Sequence, residues 1–274
     1  MPSGKKSRER RKTQVRTPPP VRSKGGGGTR TRQASPRALA IAGGIVAIAA
    51  VAVVLAVVLS HGKSGGLPKN HAAVGSLAAG LPGASDVEAL FKGIPQNGTT
   101  LGSPFAPVTL TEYIDLQCPI CREFETTVFP DLVEKYVRTG KVKVVMKAWA
   151  FLGPDSIRGQ AATLATAKQN KAFNFAENLY DNQGTENTGW LTDQMLYNIA
   201  VSVPGLRIDP LFAERNSASV KKEASDVDAD AVANKVKGTP TLFLNRSGSP
   251  VKLYGEGVPD ESTFFAAINA DLAA

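Results

Sequence analysis

The alternation of apolar and polar positions predicts a strand, a helix and a second strand in the middle of the chain. Residues 107–115 are rich in β-branched and aromatic side chains around a short apolar run, which is typical of a buried strand. Apolar residues then recur at helical spacing after Phe124 until Gly140, and Pro130 is expected to kink this helix. The alternating residues 141–151 predict a second strand. This order predicts a right-handed crossover that makes the two strands parallel.

The rest of the domain pattern is helical, and strand signals return only near the end of the chain. Residues 153–235 are predicted to be a helical insertion. Its predicted helices are Ser156–Gln169, Ala172–Tyr180, Thr192–Val203 and Pro210–Lys235. Residues 241–244 and 251–254 flank a turn-rich segment and predict an antiparallel hairpin. Asp260 is expected to cap a last helix, which completes an α/β fold.

An apolar run near the start of the chain predicts a transmembrane helix. Residues 38–59 are uncharged and would span about 33 Å as a helix, against a hydrocarbon core of about 30 Å. A cleaved signal peptide is the alternative, but its apolar core usually has about 7 to 15 residues behind a short basic head. Here the head is residues 1–37 and only Val58-Leu59-Ser60 weakly suggests a cleavage site. We therefore expect an uncleaved anchor.

The charge of the chain is concentrated before this run. Residues 1–37 hold twelve Lys and Arg side chains and one acid, so the chain's net charge of +8 leaves about −3 for all other residues. The proline- and glycine-rich composition of this tail predicts disorder. A basic tail can bind nucleic acid or anionic lipid, but the positive-inside bias of membrane proteins explains it more simply. We predict no nucleic-acid partner, a cytoplasmic N-terminus and an extracytoplasmic remainder.

Two further boundaries follow from composition. Residues 60–84 are mostly Gly, Ala, Ser and Pro, which indicates a flexible extracytoplasmic linker. Residues 85–274 are long enough to form one well-filled domain. This domain contains no histidine, which disfavours hydrolases that use Ser-His or Cys-His pairs and also disfavours metalloenzymes.

The only two cysteines of the chain lie in the run Cys118-Pro119-Ile120-Cys121. A zinc site would need further ligands, and the two histidines, His61 and His71, lie far upstream. A structural crosslink across so short a loop would contribute only about 2 kcal/mol, against nearly 5 for a loop of a hundred residues. A reversible dithiol is the favoured interpretation, and both alternatives stay open at this point.

The position of the pair supports redox chemistry. A strand followed by Cys-x-x-Cys and a helix puts Cys118 at the helix N-terminus, where unpaired N–H groups and the helix dipole stabilise a thiolate. Pro119 suits the first helical turn because its missing N–H would have no intrahelical partner. Cys121 is expected to be more buried and suited to resolve a mixed disulfide. We expect no cofactor and no metal.

The run from Gly93 to Pro104, the segment 106–121 with its cysteines, and the run Gly238-Thr239-Pro240-Thr241 resemble the DsbA-like thioredoxin-fold oxidoreductases of bacterial envelopes. The resemblance covers roughly residues 91–272. It implies a thioredoxin-like fold with a helical insertion, here preceded by a single transmembrane helix.

The resemblance also implies roles for individual residues. Cys118 would attack, Cys121 would resolve, and Pro240 would be cis and face the disulfide, so that the backbone of Thr239 pairs with an extended substrate. Glu112 matches an acidic residue that assists proton transfer, although it could equally be an ordinary solvated strand glutamate. Asp115 is more simply interpreted as structural. The implied partners are thiols and disulfides of exported proteins and a quinone-linked membrane protein that reoxidises the pair.

One position departs from the best-known oxidants of this group, which have histidine where this chain has Ile120. An aliphatic side chain donates no hydrogen bond or positive charge to a thiolate, so the disulfide should be less oxidising. The leading hypothesis is an extracytoplasmic dithiol oxidase. The alternatives are a tethered reductase or isomerase and a non-catalytic thioredoxin-like binding or chaperone module.

Overall fold

The computed structural model describes residues 67–249 and 251–274. The tail 1–37 and the transmembrane helix 38–59 that the sequence predicts lie outside these residues. Within the two described ranges, no helix is both long enough and apolar enough to cross a bilayer.

Strands and helices alternate in the first half, and helices dominate the second. The strands are β1 (Gln96–Asn97), β2 (Thr100–Leu101), β3 (Val108–Ile114), β4 (Val142–Ala148), β5 (Thr241–Arg246) and β6 (Lys252–Glu256). The helices are α1 (Ala84–Phe91), α2 (Pro119–Thr127), α3 (Phe129–Leu132), α4 (Pro154–Ala167), α5 (Ala172–Asp181), α6 (Asp193–Val201), α7 (Ile208–Glu214), α8 (Ala218–Ala233) and α9 (Glu261–Ala273). A short 3₁₀ helix covers Leu77–Ala79 and a π-helical turn covers Val133–Val137.

The strands form one sheet in the order β1-β2-β4-β3-β5-β6. Strands β3 and β4 are parallel, with Val108 opposite Val142, which confirms the predicted parallel pair. Strands β5 and β6 are antiparallel neighbours, so the predicted hairpin is also confirmed. The antiparallel β1–β2 pair was not predicted from the pattern, because each of these strands has only two residues.

The helical predictions hold except at two places. The helix after the cysteines is interrupted at Val128, and Pro130 lies in the first turn of α3, where no intrahelical N–H is required. The single predicted helix Pro210–Lys235 is wrong, since α7 ends at Glu214 and α8 begins at Ala218. The Ser217 hydroxyl accepts a hydrogen bond from the backbone N–H of Val220 at 3.1 Å and thereby caps the second helix.

The sheet is covered on both faces, as the alternation of side chains along β3 requires. Leu110 and Ile114 are fully buried in the large core that α2, α9 and the helical insertion share. Tyr113 points to the opposite face, where it packs with Phe243 and Ala231. Since β3 is central in the sheet and ends just before the cysteines, the core fixes the position of the Cys-x-x-Cys turn.

Residues 67–84, the described part of the predicted linker, are hydrogen-bonded to the domain and do not form a flexible spacer. The backbone N–H of Gly75 donates to the carbonyl of Leu206 at 2.9 Å, and His71 Nε2 lies 2.7 Å from Asp209 Oδ1. A side chain at Gly75 would collide with the carbonyl oxygen of Val203, so a glycine permits this close approach. The segment is held by backbone hydrogen bonds, which composition alone does not reveal.

Candidate active site

The two cysteines lie where β3 runs into α2. Cys118 is the N-cap residue of α2, with φ −72° and ψ 121°, and Pro119 occupies the first helical position. The carbonyl of Cys118 accepts the hydrogen bond from the N–H of Arg122 at 3.1 Å that opens the helix. Both cysteines are free thiols. The local geometry is therefore the strand, Cys-x-x-Cys and helix arrangement that the sequence predicts.

The two sulfurs differ in their access to solvent. Cys118 is 5% exposed, whereas Cys121 is completely buried one turn into the helix. Ile120, which lies between the two cysteines in the sequence, is 43% exposed. Phe151, on the loop after β4, is also an exposed apolar side chain. An approaching thiol or disulfide can thus reach the sulfur of Cys118 but not that of Cys121.

The surroundings of Cys118 favour its thiolate. The pKa of Cys118 is lowered to about 6, and the largest cause is a hydrogen bond from the Cys121 thiol. Thr239 and the backbone N–H groups of Cys121 and Ile120 also lower this pKa, while burial opposes them. The N–H groups at the helix end therefore help to lower the pKa of Cys118, as predicted, but the Cys121 thiol lowers it more. Burial raises the pKa of Cys121 well above its ordinary value, so that thiol stays protonated.

The segment opposite the cysteines begins β5. The peptide bond between Thr239 and Pro240 is cis, as the resemblance implies. The Cys118 thiol donates a hydrogen bond to the carbonyl oxygen of Thr239 at 3.4 Å. The hydroxyl oxygen of Thr239 is buried and has no hydrogen-bond partner in the described part of the chain. Thr239 thus offers a carbonyl that accepts from the Cys118 thiol and a hydroxyl that favours the Cys118 thiolate.

Asp115 organises the turn before the cysteines, in keeping with a structural role. Its carboxylate accepts hydrogen bonds from the backbone N–H groups of Gln117, Phe151 and Leu152 at 2.8 to 2.9 Å. Its own N–H points at the sulfur of Cys121, 3.5 Å away. Asp115 therefore ties the loop after β4 to the turn that carries the cysteines.

Two side chains near the end of α5 hold the backbone of the same turn. The Tyr180 hydroxyl donates to the carbonyl of Asp115 at 3.0 Å. The Gln183 amide donates to the carbonyls of Leu116 and Cys118 at 3.1 and 3.2 Å. The sequence patterns predicted neither residue, because 65 to 67 positions separate them from their partners and no local pattern marks such a contact.

Glu112 lies on β3, on the face that holds the main core. It is completely buried, and neither carboxyl oxygen has a hydrogen-bond partner among the described residues. Burial raises its pKa well above the ordinary value, and the neighbouring Glu125 raises it further. Of the two interpretations offered by the sequence, the solvated strand glutamate is wrong.

Comparison with known proteins shows which family this sequence belongs to. The sequence model of the family described as thioredoxin matches residues 95–249, more than half of the chain. The chain belongs to the thioredoxin family. This match includes the Cys-x-x-Cys turn, the helical insertion and the segment from Thr239 into β5.

Two relatives of this thioredoxin-family protein are named disulfide bond formation proteins. The probable disulfide bond formation protein D of Bacillus cereus is 33% identical over 149 residues, which cover 53% of this chain and 69% of the relative. Disulfide bond formation protein D of Bacillus subtilis is 27% identical over 150 residues, which cover 53% and 66% of the two chains. The protein is a thiol-disulfide oxidoreductase of the DsbA-like group.

Solved structures show the same fold. The crystal structure of oxidised BdbD from Bacillus subtilis matches with a TM-score of 0.58 at 22% identity and covers 75% of this chain and 100% of that one. Alpha-DsbA1 from Wolbachia pipientis matches with a TM-score of 0.56 at 22% identity and covers 68% and 96% of the two chains. The thioredoxin-like fold with a helical insertion is therefore confirmed.

Two further acidic residues near the site were also missed. Glu125 lies on α2, one turn after Cys121, and Glu177 lies on α5; both are buried. Glu125 follows the buried Phe124 directly, and Glu177 lies in the middle of an apolar helix. A charged residue on the inner face of a predicted helix was the signal that could have revealed them.

Proposed function

We propose that this protein is an extracytoplasmic dithiol oxidase that passes the Cys118–Cys121 disulfide to the thiols of exported proteins. The observation that carries the proposal is the position of Cys118 at the N-terminus of α2 as the more accessible of the two sulfurs, where a hydrogen bond from the Cys121 thiol lowers its pKa to about 6. A thiol with this pKa is mostly thiolate at neutral pH, which makes it a good leaving group from a mixed disulfide. Stabilising the thiolate also stabilises the dithiol form, so the disulfide becomes a better oxidant.

The reaction proceeds by two thiol-disulfide exchanges. A substrate thiolate attacks the sulfur of Cys118, the bond to Cys121 breaks, and Cys121 leaves and takes up a proton. A second substrate thiolate then attacks the substrate sulfur of the mixed disulfide and expels Cys118 as a thiolate. The substrate gains a disulfide and loses two electrons, which the cysteine pair accepts.

Thr239 and Pro240 are proposed to bind the substrate peptide. The carbonyl of Thr239 lies beside the Cys118 sulfur, so a peptide in extended conformation along this segment would place its own cysteine next to that sulfur. Exposed Ile120 and Phe151 provide apolar contacts at the rim. Backbone pairing of this type recognises peptides without demanding one sequence.

Glu112 is the candidate proton donor and acceptor for Cys121. Burial raises the pKa of Glu112 well above its ordinary value and so favours the protonated carboxyl, the form that a group protonating a departing thiolate needs. Its complete burial on β3, the strand that leads into the turn, supports this assignment.

We further propose that residues 38–59 anchor the protein in the membrane as a single span, with residues 1–37 in the cytoplasm. The 22 uncharged residues and the basic tail before them support this topology. A quinone-linked membrane protein would then reoxidise the cysteine pair. Labelling of cysteines introduced at positions 10 and 70 with an impermeant reagent in intact cells tests the orientation. In a background in which Cys118 and Cys121 are both replaced by serine, the cysteine at position 70 should react and the one at position 10 should not.

The alternative direction, a thiol reductase or isomerase, is favoured by one observation. Ile120 cannot donate a hydrogen bond to the Cys118 thiolate, which makes the disulfide less oxidising than a histidine at that position would. The assay that separates the directions mixes the oxidised protein with a reduced two-cysteine peptide, and the reduced protein with the oxidised peptide. An oxidase transfers its disulfide nearly completely in the first mixture, whereas a reductase consumes the peptide disulfide in the second. Cys118→Ser should abolish exchange in both, since no nucleophile remains accessible.

A further inference from the structure

Three buried carboxyl groups lie together behind the cysteines. Glu112 is on β3, Glu125 on α2 and Glu177 on α5, and their exposed fractions are 0%, 1% and 4%. Helices α2 and α5 pack against each other, so the cluster joins the cysteine helix to the helical insertion. We call Glu112, Glu125 and Glu177 the carboxyl cluster.

The cluster has no cation to neutralise it. Among the described residues, no ion pair reaches any of the three, and no hydrogen-bond donor reaches Glu112 or Glu125. Three unpaired carboxylates cannot all stay ionised in such a place. The described ranges also contain no group of His, Cys, Asp or Glu side chains arranged to hold a metal ion. Protons are therefore the means by which the cluster is neutralised.

The cluster forms a connected series. Glu125 on α2 and Glu177 on α5 interact electrostatically where these two helices pack together, and close buried carboxyl groups can share one proton between them. Glu112 interacts with both of them. Burial is the largest cause of a raised pKa in all three. Burial thus favours the protonated form of these carboxyl groups.

One end of the series reaches the cysteine pair. Cys121 and Glu125 are four residues apart on α2, a spacing at which side chains are neighbours with Cβ atoms about 5–6 Å apart. Tyr180 on α5 interacts with both of them and donates its hydroxyl proton to the carbonyl of Asp115, so it borders this end without accepting a proton.

The other end reaches solvent. Asp181 follows Glu177 by four residues on α5 and is exposed. Glu177 and Asp181 interact, and Arg122 on α2 faces Asp181 as well. The series therefore runs from a fully buried thiol to an exposed carboxylate.

We propose that Glu125 and Glu177 form a proton relay between Cys121 and solvent, with Asp181 as the outlet. This inference rests on the proposed function, because only the making and breaking of the Cys118–Cys121 bond moves a proton at Cys121. When the disulfide is opened, Cys121 leaves as a thiolate and takes the proton that Glu112 supplies under the proposed function, and Glu112 is refilled from Glu125. Glu125 is refilled from Glu177, and Glu177 from solvent through Asp181. Reoxidation runs the same transfers in reverse as the Cys121 sulfur attacks Cys118 and the partner thiolate departs.

The test isolates the step at Cys121. Reduced protein is mixed with an aromatic disulfide whose released thiolate is coloured, and the two releases are followed by stopped-flow absorbance. The first release reports attack by Cys118, and the second reports attack by Cys121 on the mixed disulfide. Glu177→Gln and Asp181→Asn are compared with Glu123→Gln, which removes an exposed carboxylate from the same helix as the cysteines.

The relay predicts that Glu177→Gln slows the second release by roughly tenfold, a modest part of the 10²- to 10⁴-fold that proton-transfer groups typically contribute. Asp181→Asn should slow it less, and Glu123→Gln not at all. The first release and the pKa of Cys118 should stay unchanged in all three. The second release should also show a solvent deuterium isotope effect in the wild type that Glu177→Gln changes. A merely structural role for Glu177 would leave that isotope effect as it is.

Two results would overturn the relay. One is a second release in Glu177→Gln that keeps the wild-type rate and isotope effect. The other, which needs no variant, is an infrared spectrum of the wild type at neutral pH without the carbonyl band of a protonated, solvent-shielded carboxyl group. Failure of the proposed function is a different outcome, since a protein without thiol exchange would show neither release. If Glu177→Gln does not fold, the infrared spectrum decides.

Discussion

The buried thiol of Cys121 is the hydrogen-bond donor that does most to lower the pKa of Cys118. The resolving cysteine therefore activates the attacking one before it takes part in the reaction itself. Two further donors at the helix end, the N–H groups of Cys121 and Ile120, act in the same direction. The short Cys-x-x-Cys loop thus serves to bring a donor to the nucleophile as well as to close a disulfide.

Replacing the donor gives the first prediction. In Cys121→Ala, the pKa of Cys118 should rise from about 6 toward the ordinary thiol range, because the largest stabilising hydrogen bond is lost while the backbone donors remain. Thiolate absorbance in a pH titration measures it. Ile120→Ala keeps the Cys121 thiol and the backbone donors, so the pKa of Cys118 in this variant should stay near 6. An unchanged value in Cys121→Ala would show that the backbone donors suffice.

The same pKa predicts how the stability of the reduced protein varies with pH. The folded state lowers the pKa of Cys118, so unfolded chains bind more protons between pH 6 and 9 and the free energy of unfolding rises with pH in that window. This contribution is lost as the pH falls through about 6. The free energies of unfolding of the reduced and oxidised forms, measured with urea, should therefore depend differently on pH, because the oxidised form lacks the titrating Cys118 thiol. Parallel pH profiles would contradict the assignment.

The carboxyl cluster predicts the opposite pH dependence. Folding raises the pKa of Glu125, so the folded state binds more protons and stability falls as the pH rises above the ordinary carboxyl range. Glu125→Gln removes this titration and should increase the free energy of unfolding at mildly alkaline pH by on the order of 1 kcal/mol. The control Glu123→Gln should leave the profile unchanged. Destabilisation by Glu125→Gln at every pH would show that Glu125 is held by an interaction of its carboxylate.

Gln183 predicts a role for the helical insertion in the site. Gln183→Leu leaves the carbonyls of Leu116 and Cys118 without this donor and should lower the free energy of unfolding by about 1–2 kcal/mol. The start of α2 should loosen, so the pKa of Cys118 should rise. Gln194→Leu is a matched control, because Gln194 is exposed and, among the described residues, its side chain bonds only to Asn198 on the same helix. Equal effects in both variants would exclude a specific contact at the turn.

Much of the fold follows from local patterns in the sequence. Val108–Ile114 is confirmed as a buried strand because β-branched and apolar residues dominate it, and it leads into the cysteines at the predicted distance. Capping chemistry was less visible. Helix α7 ends at Glu214 and Ser217 caps the start of α8. The residue pattern remains helical on both sides, so residues 210–235 were wrongly predicted as one helix.

Contacts between distant segments were the main omission. The hydrogen bond from Gly75 to Leu206 requires the backbone at Gly75 to pass close to the backbone at Val203. Composition alone predicted only a flexible linker here. Glu177 acquires its significance from Glu125, which is 52 positions earlier in the sequence and belongs to another helix. Local patterns thus located the cysteines and the Thr239–Pro240 segment. The buried carboxyl groups proposed to supply protons to Cys121 could be identified only from the three-dimensional structure.

The reduction potential of the Cys118–Cys121 pair tests the central claim most directly. It is measured by equilibrating the protein with defined glutathione mixtures and quantifying the free thiols. A Cys118 pKa of about 6 lies between those of thioredoxin, about 7, and DsbA, about 3.5, so we predict a potential between about −270 and −120 mV. A value at or below about −270 mV would contradict the oxidase and assign the protein to the reductases.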